Sequence, residues 1–254
     1  MPWDPNQYHK FQAQRSAPFY DLLALVEVRP NLKVVDLGCG TGELTHQLAA
    51  SLPGSDVTGL DSSPQMLDAA RAAAYSGPNL RFIQDDQARL SGVWDLIFSN
   101  AALQWSEKHA ELISTLYSRL APGAQIAVQV PSNHNHVSHQ IIRETAAEEP
   151  FQSLLGGFVR YAPVLSIDQY AQVLFDCGAE DIIAFEKVYA HVLADSDAVV
   201  EWISGTACVP YFERLGGHKD EFVKVIQTKM HGALPQSPVF YPFSRTFFSA
   251  RKPV

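Results

Sequence analysis

Cysteine is scarce in this sequence, and the cysteines that are present do not form pairs. Cys39, Cys177 and Cys208 stand far apart in a chain of 254 residues. A disulfide framework and a structural zinc site both need closely spaced cysteines, or cysteines combined with histidines. The cysteine content therefore excludes both classes and favours a protein of a reducing compartment.

Long apolar runs and dense basic runs are also absent. No segment approaches the roughly 18 consecutive apolar residues of a membrane span. The opening residues lack the basic stretch and apolar run of a signal peptide, so we predict a cytoplasmic protein without membrane contact. The net charge of −8 argues against non-specific nucleic-acid binding, which needs a basic surface. An anionic small substrate stays compatible with this charge, because a local cluster of arginine and histidine can reverse the sign inside a pocket.

What the sequence does contain is a regular alternation of short apolar runs and helical patterns. The apolar runs of the first half predict strands at 33–37, 56–60, 80–84, 95–99 and 125–130. The patterns between them predict helices at 43–51, from Ser63 to about Ala74, and from His109 to Leu120, the last ended by Pro122-Gly123. Short strands separated by helices of this length predict parallel βαβ units with helices on both faces.

The second half of the chain is less regular. Its patterns predict helices at 138–148 and 166–175, a helical region at 197–230 that is interrupted near Pro210 and Gly216-Gly217, and two further strands at 181–191 and 243–250. We therefore expect an α/β fold: a doubly wound, mostly parallel, seven-stranded Rossmann-like sheet. Helical lid insertions are expected at about 133–165 and 195–240. No repeat or low-complexity segment separates a second unit, so residues 1–254 are predicted to form a single domain.

A glycine-rich turn follows the first predicted strand and opens a helix. Its sequence is Asp36-Leu37-Gly38-Cys39-Gly40-Thr41-Gly42, and such glycines let the backbone turn sharply and approach a ligand closely. A dinucleotide site requires G-x-G-x-x-G, but the third glycine position here is Glu43, whose carboxylate would repel a pyrophosphate. The observed pattern instead suits a cofactor that lacks phosphate and carries an amino group and a sulfonium.

Acidic residues stand at the ends of the first three strands. Asp36 is placed to hold the cationic end of such a cofactor, directly or through water. Asp61 ends the second strand, where a carboxylate can accept hydrogen bonds from both ribose hydroxyls. Asp85, Asp86 and Gln87 follow the third strand, in position to meet an adenine amino group. Together these residues predict one cofactor site, and the alternative is that they are only turn and cap residues.

Several longer runs resemble a known family. Val34 to Gly42, Val57 to Leu67 and Asn100 to Trp105 resemble the trans-aconitate methyltransferases, which are class I S-adenosylmethionine-dependent methyltransferases. The likeness begins at Trp3-Asp4-Pro5, reaches Pro242 to Arg245, and so covers nearly the whole chain. The resemblance implies S-adenosyl-L-methionine as cofactor. It also implies an enzyme that transfers a methyl group to a carboxylate oxygen of a small polycarboxylic acid, giving a monomethyl ester.

The resemblance also assigns roles to individual residues. To the acidic strand ends it adds a set of cofactor-binding residues, namely Arg15, Gly38, Cys39, Gly40, Gly42, Ser62, Met66, Asn100 and Gln104. For the acceptor we expect Trp105 as a wall of the pocket and Arg143, His191 and Arg245 as partners of the substrate carboxylates. Arginine offers a bidentate fork for that group. His139, which matches the family best, is expected at the pocket rim with His134 and His136. Each of these residues alone is also compatible with a packing, surface or ion-pair role.

Neither a general base nor a metal is expected for this chemistry. A carboxylic acid with a pKa near 4 is already an anion at neutral pH, so it needs no base to become a nucleophile. His134, His136 and His139 invite a metal interpretation. They lack a carboxylate or cysteine companion at ligand spacing, so no metal site is predicted.

Some positions depart from the family and leave alternatives open. Val209 stands before Pro210, where the resemblance leads us to expect an arginine, and Ala190 replaces one of two expected aromatic residues. The lost arginine predicts a substrate with fewer carboxylates or a different tail. One alternative is a class I methyltransferase acting on a phenol, an amine or a natural-product intermediate, with a histidine as base. The other is a non-catalytic S-adenosylmethionine-binding protein.

Overall fold

The fold is an open sheet with helices packed on both faces. The computed structural model describes residues 12–73 and 79–254. Its seven strands are β1 (Lys33–Leu37), β2 (Asp56–Asp61), β3 (Leu80–Gln84), β4 (Trp94–Asn100), β5 (Leu120–Pro131), β6 (Glu180–Leu193) and β7 (Val239–Arg251). Within that part of the chain they follow the order β3-β2-β1-β4-β5-β7-β6. Strand β7 runs antiparallel to both of its neighbours, and these are the exceptions in the sheet. The expected mostly parallel seven-stranded sheet is therefore confirmed.

Helices fill the connections between these strands. They are α1 (Gln12–Leu23), α2 (Glu43–Ser51), α3 (Pro64–Ala72), α4 (His109–Ser118), α5 (Val137–Ala147), α6 (Phe151–Leu154), α7 (Ile167–Asp176), α8 (Ser196–Ser204), α9 (Val209–Leu215) and α10 (Lys219–Ala233). A local signal starts α3 where the sequence predicts. Ser63 caps α3 by accepting a hydrogen bond from the Met66 amide, with Pro64 at the first helical position. None of the described helices is both long and apolar enough to cross a bilayer.

Strand β1 lies in the middle of the sheet and is buried on both faces. Val34 packs into the core cluster on one face, while its neighbour Val35 packs into the cluster on the other. This alternation explains why β1 reads as a continuous apolar run. Since β2 follows on one side of β1 and β4 on the other, the strand order reverses beside β1. Ligands of doubly wound sheets bind in the crevice at that point, outside the carboxyl ends of the strands.

The predicted boundary between α4 and β5 was wrong. The helix ends at Ser118, and β5 already begins at Leu120. The pairing of β4 with β5 shifts between Trp94 and Leu96, so Pro122-Gly123 lie in a bulge of the strand instead of ending the helix. Gly123 has a φ of 72° there, and its amide donates to the Lys252 carbonyl over 2.9 Å.

Strands β6 and β7 are longer than predicted and pair with each other along most of their length. The segment 195–238 connects them, and its helices α8 and α10 pack against α5. Trp202 of α8 and Phe222 of α10 belong to the same core cluster as Val34 and Phe98 of the sheet. The regions expected as lid insertions therefore share a hydrophobic core with one face of the sheet.

Candidate active site

The three glycines of the turn after β1 all have positive φ angles, but they serve different purposes. A Cβ on Gly38 would lie 2.1 Å from the Cβ of Ala102, and a Cβ on Gly42 would lie 2.6 Å from the Phe82 ring. Packing against neighbouring elements thus requires both of these glycines. A Cβ on Gly40 would meet nothing within 4 Å, because Gly40 faces an open cleft.

Asp61, at the carboxyl end of β2, fixes this turn in place. One carboxylate oxygen accepts a hydrogen bond from the Gly40 amide over 2.9 Å, and the other accepts from the Ser63 amide over 2.8 Å. The same side chain therefore connects the glycine turn to the start of α3. Each carboxylate oxygen has two lone-pair sites, so Asp61 keeps acceptor capacity for a ligand in the cleft.

The cleft at the carboxyl ends of β1 to β4 has a volume of about 650 Å³. Sites for small molecules and cofactors usually occupy about 300–1,000 Å³. Eight residues predicted to bind the cofactor line it together: Gly38, Gly40, Asp61, Ser62, Met66, Asp85, Asp86 and Gln87. Glu107 and Glu213 add two carboxylates that the sequence interpretation did not include. Among the described lining residues five are acidic and none is basic, so the cleft suits a cation.

Three residues predicted for the cofactor lie behind the lining. Asp36 is 5% exposed and accepts a hydrogen bond from the Thr45 hydroxyl over 2.6 Å. Burial raises the pKa of Asp36 to about 7, and the charge of Asp61 contributes to this rise. Cys39 is also buried, and burial raises the pKa of its thiol. Together with Gly42, these residues support the turn from beneath. The side chain of Arg15 lies outside the part of the chain that the structure describes.

The end of β4 supplies buried acceptors next to the cleft. The side-chain oxygens Asn100 Oδ1 and Gln104 Oε1 have no hydrogen-bond partner among the described residues. Buried acceptors are normally satisfied, so unpartnered ones indicate a missing donor. Ala101, between them in sequence, has a φ of 56°, an uncommon backbone conformation for a residue other than glycine. The arrangement fits a ligand that donates hydrogen bonds, as the ammonium group of the expected cofactor does.

A second cavity, of about 160 Å³, adjoins the cleft. Ala101 and Trp105 line both spaces. The other lining residues named by the sequence prediction are Gln104, His134, His139, Arg143 and Arg245, and those it missed include Asn133, Arg160, Trp202, Thr206 and Tyr211. Three of the described lining residues are arginines and none is a carboxylate. We refer to this second cavity as the arginine pocket.

Each arginine of this pocket is held by a different element. Arg143 of α5 donates to the His134 carbonyl over 2.9 Å. Arg245 of β7 is 5% exposed and donates to the Gln129 side chain over 3.3 Å. The guanidinium carbon of Arg245 lies 4.8 Å from the centroid of the Phe243 ring. These contacts fix the guanidinium groups before any ligand enters.

Arg160, which the sequence interpretation missed, is the third arginine. It belongs to the irregular segment between α6 and α7, where no periodic pattern marks a functional position. Its guanidinium lies 4.6 Å from the centroid of the Trp105 ring and donates to the Gln104 carbonyl over 2.7 Å. Its backbone amide donates to the hydroxyl of Tyr211 over 2.9 Å. The only available signal was an arginine in a glycine-containing loop, which is weak.

The histidines of this region are neutral at neutral pH. Burial lowers the pKa of His139 to about 3, and the charge of Arg143 lowers it further. Burial also lowers the pKa of His134 and of His136. His139 therefore offers the pocket a neutral ring that can donate one hydrogen bond. No group of three or more potential metal ligands occurs among the described residues.

Two sequence expectations for the pocket differ from the observed positions. His191 is not among the residues that line the pocket but packs behind it, with its ring 5.1 Å from Trp202 and 6.0 Å from Phe243. Burial lowers the pKa of His191 to about 4. Val209, where an arginine was expected, lines the acidic cleft. The arginine pocket thus contains three arginines despite the departure at this position.

Comparison with known proteins assigns the chain to a family. A family profile described as "Methyltransferase domain" matches residues 34–123. Trans-aconitate 2-methyltransferase of Deinococcus radiodurans is 48% identical over 100% of this chain and 99% of its own length. The protein of the same name from Paracidovorax citrulli is 35% identical over 98% of each chain.

A solved structure supports the fold. Haemonchus contortus phosphoethanolamine N-methyltransferase 2, in complex with S-adenosyl-L-methionine, superimposes with a TM-score of 0.57 at 18% identity. The superposition covers 95% of this chain and 53% of that chain. At this identity the likeness concerns the Rossmann-like fold alone. The full-length relatives are decisive: the chain belongs to the trans-aconitate 2-methyltransferase family and is a class I S-adenosylmethionine-dependent methyltransferase.

Proposed function

We propose that this enzyme methylates one carboxylate of trans-aconitate, or of a closely similar small polycarboxylic acid, to give a monomethyl ester. The observation that carries this proposal is the arginine pocket beside the cofactor cleft. Its three arginines and its lack of carboxylates among the described lining residues favour an acceptor with several negative charges. The names of the full-length relatives point to the same acceptor.

The cofactor is expected in the acidic cleft, held by residues of the strand ends. Asp61 would accept from the ribose hydroxyls, and Asp86 from the adenine amino group. Asn100 Oδ1, which has no partner in the described part of the chain, would accept from the ammonium group. When bound, S-adenosyl-L-methionine supplies an electrophilic methyl group.

The residues of the arginine pocket would then position the acceptor. Its carboxylates are ionised at neutral pH, so no side chain has to remove a proton before attack. Holding a carboxylate oxygen close to and in line with the methyl group can contribute about 7–11 kcal/mol to lowering the barrier. His139 is neutral and can donate a hydrogen bond to the acceptor. Its low pKa makes it a weak base.

Segments from both inserted regions would cover the acceptor. Arg143 and Arg160 come from the region 133–165, and Trp202 and Tyr211 come from the region 195–240. All four side chains line the arginine pocket, so exclusion of water from it would depend on these two regions. We therefore propose that the two regions form a lid within a single domain. That the enzyme is cytoplasmic and binds no nucleic acid stays a prediction.

One labelling experiment tests the acceptor class. The purified protein is incubated with methyl-labelled cofactor and separately with trans-aconitate, simple dicarboxylates, phenols and amines. We expect base-labile label on trans-aconitate, since a methyl ester hydrolyses in base. Label on a phenol or amine and none on any acid would reject the proposal. Cofactor binding without transfer to any acceptor in the panel would do the same.

A further inference from the structure

The two cavities meet at a single segment of the chain. Of the described residues, Ala101 and Trp105 are the ones that line both the acidic cleft and the arginine pocket. Methyl transfer requires the attacking oxygen and the methyl carbon to lie about 3–3.5 Å apart. The carboxylate that reacts must therefore sit beside this segment, and the other carboxylates of the acceptor must lie deeper in the pocket.

The three arginines differ in the contacts that hold them in the pocket. Arg160 contacts the segment directly, through the Trp105 ring and the Gln104 carbonyl. Arg245 instead contacts Gln129 and the Phe243 ring. Arg143 contacts the His134 carbonyl. Arg160 is thus in direct contact with the junction, and Arg245 is linked to it through Gln129, whose carbonyl accepts a hydrogen bond from the Ala101 amide over 2.9 Å.

From this placement we infer that Arg160 binds the carboxylate that is methylated, while Arg143 and Arg245 bind carboxylates that are not. The inference rests on the proposed function, because it requires an acceptor with more than one carboxylate. Arg160 would thereby determine which carboxylate of the acceptor receives the methyl group. The three carboxylates of trans-aconitate are chemically inequivalent, so the choice can be observed in the product.

The hydrogen bonds available to Arg160 are compatible with this role. A guanidinium carries five N–H donors, and the contact with Gln104 uses one of them. A carboxylate offers about four lone-pair sites, so a bond from Arg160 to one oxygen leaves lone pairs on the other. The free oxygen forms the new bond to the methyl carbon. The carbon–sulfur bond breaks with its electron pair going to sulfur, and the carboxylate charge disappears in the ester.

The contacts of Arg160 also prearrange it for this task. The contact with the Trp105 ring holds the guanidinium over the indole, and the hydrogen bond from the Arg160 amide to the Tyr211 hydroxyl holds the backbone of the loop. Binding to a preformed group loses little conformational entropy. Arg160 is thus placed by residues that themselves line the pocket.

The test compares Arg160→Gln with Arg245→Gln in the full chain. Each variant is given trans-aconitate and cofactor labelled with ¹³C in the methyl group, and NMR spectroscopy identifies the ester position. We expect the unaltered enzyme to give one monoester. Arg160→Gln should lower kcat/KM roughly 10- to 100-fold, as the loss of a charged hydrogen bond predicts, and should give a mixture of monoesters. Arg245→Gln should raise KM but keep the single ester.

Controls separate this assignment from a loss of structure. The dissociation constant of the cofactor, measured by calorimetry, should be unchanged in Arg160→Gln. Arg160→Lys should recover part of the rate. If Arg160→Gln fails to bind cofactor, the ester position is taken from Arg160→Lys instead. Arg119→Gln alters an exposed arginine just before the amino end of β5, at the end of the sheet opposite to the two cavities. This variant should match the unaltered enzyme.

The outcomes of the test are distinct. A single unchanged ester from Arg160→Gln, with the defect confined to KM, would overturn the assignment and leave the proposed function standing. A mixture of esters from the unaltered enzyme would also overturn it. If the unaltered enzyme transfers no methyl group to trans-aconitate, the proposed function fails and the assignment fails with it.

Discussion

The buried carboxyl group of Asp36 makes the stability of the protein depend on pH in a specific way. Asp36 lies under the glycine turn, 5% exposed, with the Thr45 hydroxyl as its hydrogen-bond donor. Its pKa rises from an ordinary 3.8 to about 7, chiefly because burial disfavours the charged form. Between these two pH values the folded protein therefore retains a proton that the unfolded chain has released.

The sign of the effect follows from proton linkage. Because the folded state binds more protons in this window, the free energy of unfolding falls as pH rises from about 4 to about 7, and this contribution is constant above pH 7. One pKa unit corresponds to about 1.4 kcal/mol, so the full effect is on the order of 4 kcal/mol. An asparagine at this position does not ionise, and its amide oxygen can still accept from Thr45. At pH 8 we expect the free energy of unfolding of Asp36→Asn to be about 2–4 kcal/mol higher than that of the unaltered protein.

Urea unfolding of the cofactor-free protein at a series of pH values measures this effect. The two proteins should be similarly stable near pH 4 and should diverge as pH approaches 7. Asp56→Asn, which removes an exposed carboxyl group at the start of β2, should follow the unaltered protein at every pH. Parallel pH profiles for Asp36→Asn and the unaltered protein would refute the reasoning, since they would mean that Asp36 titrates alike in both states.

Four further predictions concern the turn and the reaction. Asp61→Ala should weaken cofactor binding at least roughly tenfold in calorimetry, because two backbone amides lose their acceptor; an unchanged dissociation constant would remove Asp61 from the site. Gly42→Ala should lower the free energy of unfolding by about 1–3 kcal/mol, since its Cβ would meet Phe82. Gly40→Ala, whose Cβ enters the cleft, should mainly weaken cofactor binding. A loss of stability in Gly40→Ala and a loss of cofactor binding alone in Gly42→Ala would contradict the roles given to both glycines. With cofactor saturating, kcat of Asp36→Asn, which lacks the buried group with a pKa of about 7, should stay flat between about pH 6 and 8, because the acceptor is already ionised; an inflection in that variant would indicate a general base.

The sequence predicted which residues meet in the acidic cleft, because topology alone brings them together; that the cofactor binds there stays a prediction. Parallel strands have their carboxyl ends at one edge of the sheet, so residues just after β1, β2 and β3 converge wherever the strands are identified correctly. Strands 33–37 and 80–84 were predicted with the observed bounds. Asp61, Asp85 and Asp86 line one cleft for that reason.

The arginine pocket was harder to predict, because its residues come from long connections. Arg160 reaches the pocket through a loop without periodicity, and only the tertiary contacts with Trp105 and Tyr211 place it there. His191 is the opposite case. Its position on β6 was predicted, but the side chain packs against Trp202 on the far side of the pocket wall. Alternation along a strand does not reveal which helix will cover that face.

The distribution of charge between the two cavities explains how an acidic protein can act on an anion. Five carboxylates line the cofactor cleft and three arginines line the adjoining pocket, with Trp105 bordering both. A cation is favoured on one side of that border and an anion on the other, and partial burial strengthens both preferences. The carboxylates of the acidic cleft would repel an anionic acceptor, so the arrangement also disfavours binding of the acceptor in the wrong cavity. The net charge of −8 is an average over the whole chain, whereas the acceptor responds to the three arginines within its own cavity.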